Sequence, residues 1–433
     1  MTMTTIKGAG LPRGTGRLLT AQYPVVDSDS HITEPAGIWE DRLPSKWADI
    51  MPRVRRSKGG RDMWLIGDRV TQAAWASATA GFRDYWPAHP RTLDEVDPAA
   101  YEPHARARHL DRVGISSQVI YPNILSFNIQ DILRNGDAAF HLACVQAYND
   151  FLADFARAEP GRFIPIMCLP IWDVAASVRE IERCAALGHK GLLFSNVPEL
   201  IGLPRMRDRH WDPLFSAAQA HALPVNFHIG FGKHGDEKKR AATSRKARGE
   251  GDTSAEARQK TIDFRTGEVI KISSMMGQAE AIGEVIVSGM CARYPKLNFV
   301  SVESGFGYVP YYLDALDWQW MNSGSAEILP ERLMPSEYFK RQVFATFWFE
   351  HRTVLRMIDL LEDNVMFESD FPHPTCLHPG PASFTDAPNK VIQANLASLP
   401  EKTLKKVLYA NAARVYNLDA AYLQIVDEKL QAA

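Results

Sequence analysis

An aspartate and a histidine two residues apart, Asp29 and His31 in the stretch VVDSDSHITEP (25–35), have the types and spacing that suit metal chemistry. In a strand, side chains at i and i+2 leave the same face, so a carboxylate and an imidazole converge there as two ligands of one ion would. Taken alone, the fragment reads more readily as a solvated edge strand running into a polar turn. Similar groups close other apolar runs. His228 ends LPVNFHIG (223–230), Glu303 and Ser304 end LNFVSVES (297–304), and Asp370 ends NVMFESDF (364–371) with His373 three residues on. Packing does not account for them, because burial favours Val or Ile at such positions and a buried charge needs a partner or a metal. Asp29, His31, His228 and Asp370 suffice to hold one divalent ion with positions left for water and substrate. Nitrogen and oxygen donors suit zinc, manganese or iron; zinc is the ion expected, although an oxygen-rich set leans towards the harder ions.

Eight apolar runs must position these residues: 24–31, 115–122, 163–171, 190–196, 223–230, 297–304, 342–349 and 364–371. Between several of them lie stretches with helical spacing, such as AAFHLACVQAYNDFLADFARA, DVAASVREIERCAALG and WDPLFSAAQAHA. That alternation predicts an α/β fold, a distorted (β/α)8 barrel with long insertions after its first and fifth strands. A doubly wound open sheet is the rival, weakened because no Gly-rich phosphate fingerprint follows an early strand. One barrel domain over 24–418 is expected, with an N-terminal extension (1–23), insertions at about 32–105 and 232–275, and a tail (419–433).

In a barrel, segments that follow strand C-termini build the active-site face. Tyr121, Asn123 and Asn196 would then face the bowl as substrate contacts. The Trp- and Arg-rich piece from Trp64 to Arg91 is too long for a bare loop and is a candidate wall of the pocket. Its Trp64, Trp75, Tyr85 and Trp86 read either as an aromatic pocket or as the core of the insertion. Glu34 reads as a metal contact or a turn carboxylate, and His189 and His210 read as surface residues. The second insertion, rich in Lys and Arg, reads as a solvated excursion, with a lid, a subunit contact or an anion clamp as alternatives. The segment 401–418 predicts an amphipathic outer helix tethered by Asn411 and Arg414.

Composition narrows the function. The 433 residues are 45% hydrophobic and 23% charged with a net charge of −2, which suits an ordinary globular protein and gives no electrostatic reason to expect nucleic acid or an anionic membrane. Five widely spaced cysteines without a CxxC pair suit a reducing compartment, so the cytoplasm is expected. The first twenty residues lack the apolar core of a signal peptide, and no window reaches eighteen apolar residues. A small-molecule substrate and a homodimer are the expected partners.

The segments VVDSDSHITEP, LDRVGISSQVIYPN, NFHIG, VESGFGYVPYYLDALD, ESDFPHP and LYANAARVYNL resemble, in order, the landmarks of the amidohydrolase-2 (amidohydrolase-related) family. The resemblance implies a distorted TIM barrel with one catalytic metal per chain, and hydrolysis or non-oxidative decarboxylation of small, often aromatic, carboxylates. Carried over, the metal positions fall on Asp29, His31, His228 and Asp370. Asp29 departs from the His-x-His or Glu-x-His found there in the family. Many decarboxylases of the family also place a histidine at the sixth strand end with a glutamate three residues on, where this chain has Glu303 and Phe306. The second departure puts hydrolysis first: metal-activated water, Asp370 as the proton shuttle, and Glu303 or His373 assisting. Decarboxylation, with protonated Asp370 delivering a proton to the substrate carbon, is the alternative. A non-haem iron oxygenase and a non-catalytic binding barrel are the readings outside the family's chemistry.

Overall fold

The computed structural model describes residues 18–230, 259, 262, 263, 266, 269 and 275–419. Its strands are β1 (Val26–His31), β2 (Arg53–Arg56), β3 (Asp62–Ile66), β4 (Arg69–Ala73), β5 (Ser117–Tyr121), β6 (Phe163–Met167), β7 (Gly191–Leu193), β8 (Val225–His228), β9 (Phe299–Val302), β10 (Val343–Phe347) and β11 (Val365–Phe367). All but β2–β4 form one eight-stranded sheet in the order β1-β5-β6-β7-β8-β9-β10-β11, parallel at every pair. Each of these strands falls inside one of the apolar runs. Both faces of the sheet are covered, which is why the runs read as nearly continuous hydrophobic segments. The sheet nearly closes into a barrel. A single bridge joins Ser30 to Phe371, with Asp370 N donating to Asp29 O (2.9 Å) and His31 N donating to Phe371 O (2.7 Å).

Helices occupy the crossovers, as helical spacing required. The helix Ala138–Ala158 begins where the Asp137 carboxylate accepts from Phe140 N, and Val174–Leu187 begins where Asp173 accepts from Ala176 N. Gly188, at φ 97°, ends the latter in the left-handed conformation that glycine adopts without strain. That turn overturns the surface reading of His189, which is buried with Nε2 3.0 Å from Asn149 O; His210 is exposed as expected.

The segment after β1 folds as the three-stranded antiparallel sheet β2-β3-β4. Trp64 and Trp75 belong to its buried core: Trp64 packs edge-on against Trp39 at 5.6 Å, and Trp75 Nε1 donates to Asp62 (3.0 Å). Tyr85 and Trp86 are instead partly exposed. Thr79 N and Ala80 N both donate to Pro372 O (3.0 Å), which fastens this piece over the end of β11. The outer helical stretch runs Glu401–Lys405, a π-type widening Lys406–Ala410, then Asn411–Val415. Asn411 Nδ2 donates to Glu362 O and Val365 O (2.8 Å each) and Arg414 donates to Asp363 O (2.5 Å), the expected tethers. Most of the basic insertion 232–275, residues 1–17 of the extension and residues 420–433 lie outside the described residues. Among the described residues no helix is long and apolar enough to cross a membrane. All five cysteines are buried and free.

Candidate active site

The bowl at the strand C-termini is built by β1, β8, β9 and β11. In β1 the pairing with β5 slips between Asp27 and Ser30, a bulge that lies beside Asp29. Asp29 and His31 emerge on the same face, fully buried. Glu303 (φ 54°) and Asp370 (φ 58°) follow β9 and β11 in the left-handed conformation. For non-glycine residues this costs on the order of 1–3 kcal/mol and concentrates at functional sites.

These groups converge. His31 Nε2 lies 2.9 Å from His228 Nε2, and Asp29 Oδ1 lies 3.6 Å and 3.5 Å from those two nitrogens. Asp370 Oδ1 is 3.9 Å from His31 Nε2, and Glu303 Oε2 is 3.5 Å from His228 Nε2. Three overlapping sets have ligand atoms mutually within 4.8 Å: Asp29, His31 and His228; His31, Asp370 and His373; Asp29, Glu303 and Asp370.

The donor chemistry fits a divalent cation. His228 Nδ1 lies 2.8 Å from Ile229 O, so its proton belongs on that side and the Nε2 that faces His31 carries a lone pair; the Pro122 carbonyl acts on the His31 ring from outside the cluster. Both Asp29 oxygens are buried without a hydrogen-bond donor. That lone pair and the unpartnered carboxylate oxygens repel one another unless positive charge lies between them. The electrostatics agree. Burial, then the Asp370 and Asp27 charges, holds Asp29 well above the usual carboxylate range. Burial, then Asp370 and Asp29, does the same for Glu303. Burial lowers both His31 and His228, keeping them in the neutral form a metal requires.

His373 stands where the cluster meets open space. Its ring stacks on His31 at 3.8 Å, its Nδ1 lies 2.9 Å from Asp370 Oδ1, and its Nε2 lies 2.8 Å from Asn123 Oδ1. Thr375 Oγ1 donates to Asp370 Oδ2. His373 and Thr375 line a cavity of about 440 Å³ whose walls come mainly from the insertion after β1, the turn after β10 and the segment after β11.

The residues expected to touch substrate divide. Asn123 is buried and its amide is committed: Nδ2 donates to Ile32 O (2.7 Å) while Oδ1 meets His373. The structure thus gives it the work of holding His373. Tyr121 lies beneath the cluster, its ring 5.4 Å from that of His228, and its hydroxyl is bound to Asn226 Oδ1 (3.0 Å) and Tyr416 (3.2 Å). That places Tyr121 in the barrel's filling, with no side-chain face on the cavity. Asn196 is half-buried, with Nδ2 3.4 Å from Gln278, and is not among the described residues lining the cavity. Glu34 accepts from Asn123 N (2.7 Å) and Ile124 N (2.8 Å), the structural of its two readings.

Three contributors were missed in the sequence. Glu368 is fully buried beside the cluster, and burial, then Asp29, pushes it well above the carboxylate range. Its signal was a glutamate inside an apolar run. Arg106 is buried, donates to His31 O (2.7 Å) and Gln118 (2.9 Å), and packs over the Phe371 ring at 4.5 Å. No local pattern in its helix marks it. Thr375, five residues beyond Asp370, was readable only as part of a turn.

A family model described as amidohydrolase matches residues 28–418. The chain belongs to the amidohydrolase family. Its fold is that of a TIM-barrel enzyme of that superfamily. Among curated proteins, this amidohydrolase is 24% identical over 352 residues to the gamma-resorcylate decarboxylase of Polaromonas sp. strain JS666, covering 79% of this chain and 94% of the relative. Among solved structures it is similar to an amidohydrolase from Mycobacterium avium subsp. paratuberculosis K-10 (TM-score 0.65, 21% identity, 91% of this chain and 99% of that one). It is also similar to the 5-carboxyvanillate decarboxylase of Novosphingobium aromaticivorans, solved with bound manganese (TM-score 0.58, 17% identity, 92% and 98% covered).

Proposed function

We propose that this protein is a divalent-metal-dependent decarboxylase that releases carbon dioxide from an aromatic or unsaturated carboxylic acid. What favours this over hydrolysis, the first expectation from the sequence, is the activity of the curated relative matched over 94% of its length. The ligand cluster serves either reaction. Asp29, His31, His228 and Asp370 are proposed to hold the ion. Manganese is the ion proposed, from the oxygen-rich donor set and the manganese-bound neighbour, with zinc as the alternative.

Held by these residues, a divalent ion would supply Lewis-acid charge at the substrate's acid end. The chain's own residues handle the proton. In this reading Asp370, which Thr375 holds at Oδ2 and His373 Nδ1 faces at 2.9 Å, gives a proton to the carbon that bears the carboxylate. That carbon gains hydrogen, its bond to the carboxylate breaks with the electron pair returning to the ring, and carbon dioxide leaves. His373, oriented by Asn123 through Nε2, presents Nδ1 to Asp370, so a proton taken up at that nitrogen is passed to the carboxylate. Glu303 departs from the family's histidine at the β9 end. With Asp370 as donor, a histidine there is not needed for protonation.

The experiment is elemental analysis of the purified chain beside His31→Ala and His228→Ala, followed by assay of hydroxybenzoates in D2O. About one equivalent of metal, lost in both variants, with carbon dioxide release and one deuterium on the product carbon, is the expected result. Hydrolysis products without carbon dioxide would replace this reading with the hydrolase.

A further inference from the structure

The cavity beside His373 is larger than a single-ring acid requires. An apolar cavity of about 150 Å³ accommodates benzene, and this one measures about 440 Å³, roughly three times that. Binding energy in such a space comes from whatever fills it, because an unfilled apolar wall keeps only its contacts with water.

The walls are aromatic and incompletely buried. Phe82, Tyr85 and Trp86 come from the insertion after β1, and Trp348 and Phe349 from the turn after β10. Trp348 is packed, its Nε1 donating to Thr375 O (3.2 Å), and so ties this wall to the turn that holds Asp370. Tyr85, Trp86 and Phe349 are 48%, 38% and 44% exposed. Large aromatic faces gathered around one opening mark a surface that is covered when a ligand is present. Charge is sparse there. Among the described lining residues, Asp84 is the one permanently charged side chain, beside His373 and His378. That carboxylate is paired with Arg83, whose guanidinium lies 3.4 Å away and packs over the Phe82 ring, which leaves the aromatic faces as the wall's main feature.

We propose that the substrate is a carboxylic acid whose acid-bearing ring is extended by a second apolar group, a further ring or a branched chain, seated between Tyr85–Trp86 and Phe349. The proposal deepens the decarboxylase reading and relies on it only for the acid end. The apolar end rests on the cavity alone.

The test separates the two. Binding of phenol and para-phenylphenol, which carry no carboxylate, is measured by calorimetry on the manganese-loaded protein and on Trp86→Ala and Phe349→Ala. The expected result is para-phenylphenol binding about ten-fold tighter than phenol or more, an advantage that either substitution reduces. Equal affinity for the two phenols, or an advantage untouched by both substitutions, overturns the proposal. Carbon dioxide release is then compared for salicylate and 5-phenylsalicylate, with a higher kcat/KM expected for the second. If the phenylphenol advantage holds and neither acid loses carbon dioxide, the decarboxylase reading fails and the extended apolar subsite stands.

Discussion

At the residue scale, function depends on how few donors surround the acids and how firmly the histidines are held. Asn123 is the clearest case, since one side chain joins the Ile32 carbonyl to His373 Nε2. Groups that orient active-site histidines typically cost about 10–100-fold in affinity or activity when removed. Asn123→Ala should lower kcat by that order while metal content and the circular dichroism spectrum stay unchanged; loss of metal as well would assign Asn123 to the ion's own support. Glu350 offers a pH test away from the cluster. Burial pushes its carboxyl from an ordinary 4.5 up to about 7, although Phe306 N (2.6 Å) and Gly307 N (3.1 Å) donate to it. The folded state therefore holds this proton more tightly than the unfolded chain. Its contribution to stability is complete below about pH 4.5 and is lost as pH rises to about 7. In Glu350→Gln the urea midpoint should fall less between pH 5 and pH 8 than in the parent; parallel midpoints would show that Glu350 is ionised in the fold.

At the element scale, the strand ends supply the site and the segments after them shape it. Short strands such as β11, with three residues, cannot hold their own termini. The outer helical stretch does this for β11: Asn411 satisfies the carbonyls of Glu362 and Val365, and Thr403 and Lys406 bind the Glu362 carboxylate at 2.6 Å each. Asn411→Ala leaves two carbonyls short of a donor, at a cost of about 1–3 kcal/mol each when buried. A drop of that size in the unfolding free energy, with kcat reduced because Asp370 follows β11, is the expected outcome. Unchanged stability would mean that water replaces the amide. The insertion after β1 shows how one segment serves two ends, with Trp64 and Trp75 forming its core while Tyr85 and Trp86 reach the cavity.

At the scale of the molecule, the barrel gathers Asp29, Glu303, Glu368 and Asp370 with three imidazoles into one buried volume. Without a cation this arrangement opposes folding, because burial and mutual repulsion raise the carboxyls Asp29, Glu303 and Glu368 together. A ligand that binds only the folded state adds about 2.7 kcal/mol at a hundred times its dissociation constant. Manganese added to chelator-treated protein should therefore raise the melting temperature by several degrees, and the rise should vanish in His228→Ala. A rise of the same size in that variant would place the binding elsewhere.

The strands were legible because burial on both faces writes each as a short apolar run, and the helices because amphipathic periodicity survives in 138–158 and 174–187. The cluster was legible for a related reason: His and carboxylate stand out where such a run should end in Val or Ile. Asp29, His31, His228, Glu303 and Asp370 were found that way, with His373 three residues past Asp370, and the structure brings them together. Side-chain direction and partner choice were not legible. Tyr121 and Asn123 both follow β5 in sequence, yet one hydroxyl is taken by Asn226 and Tyr416 and one amide by Ile32 and His373, residues up to 295 positions away. Glu368 and Arg106 look like ordinary strand and helix residues until the barrel closes around them. Periodicity records which face is buried; only the tertiary structure decides which polar atoms meet there, because hydrogen-bond partners are set by proximity in space.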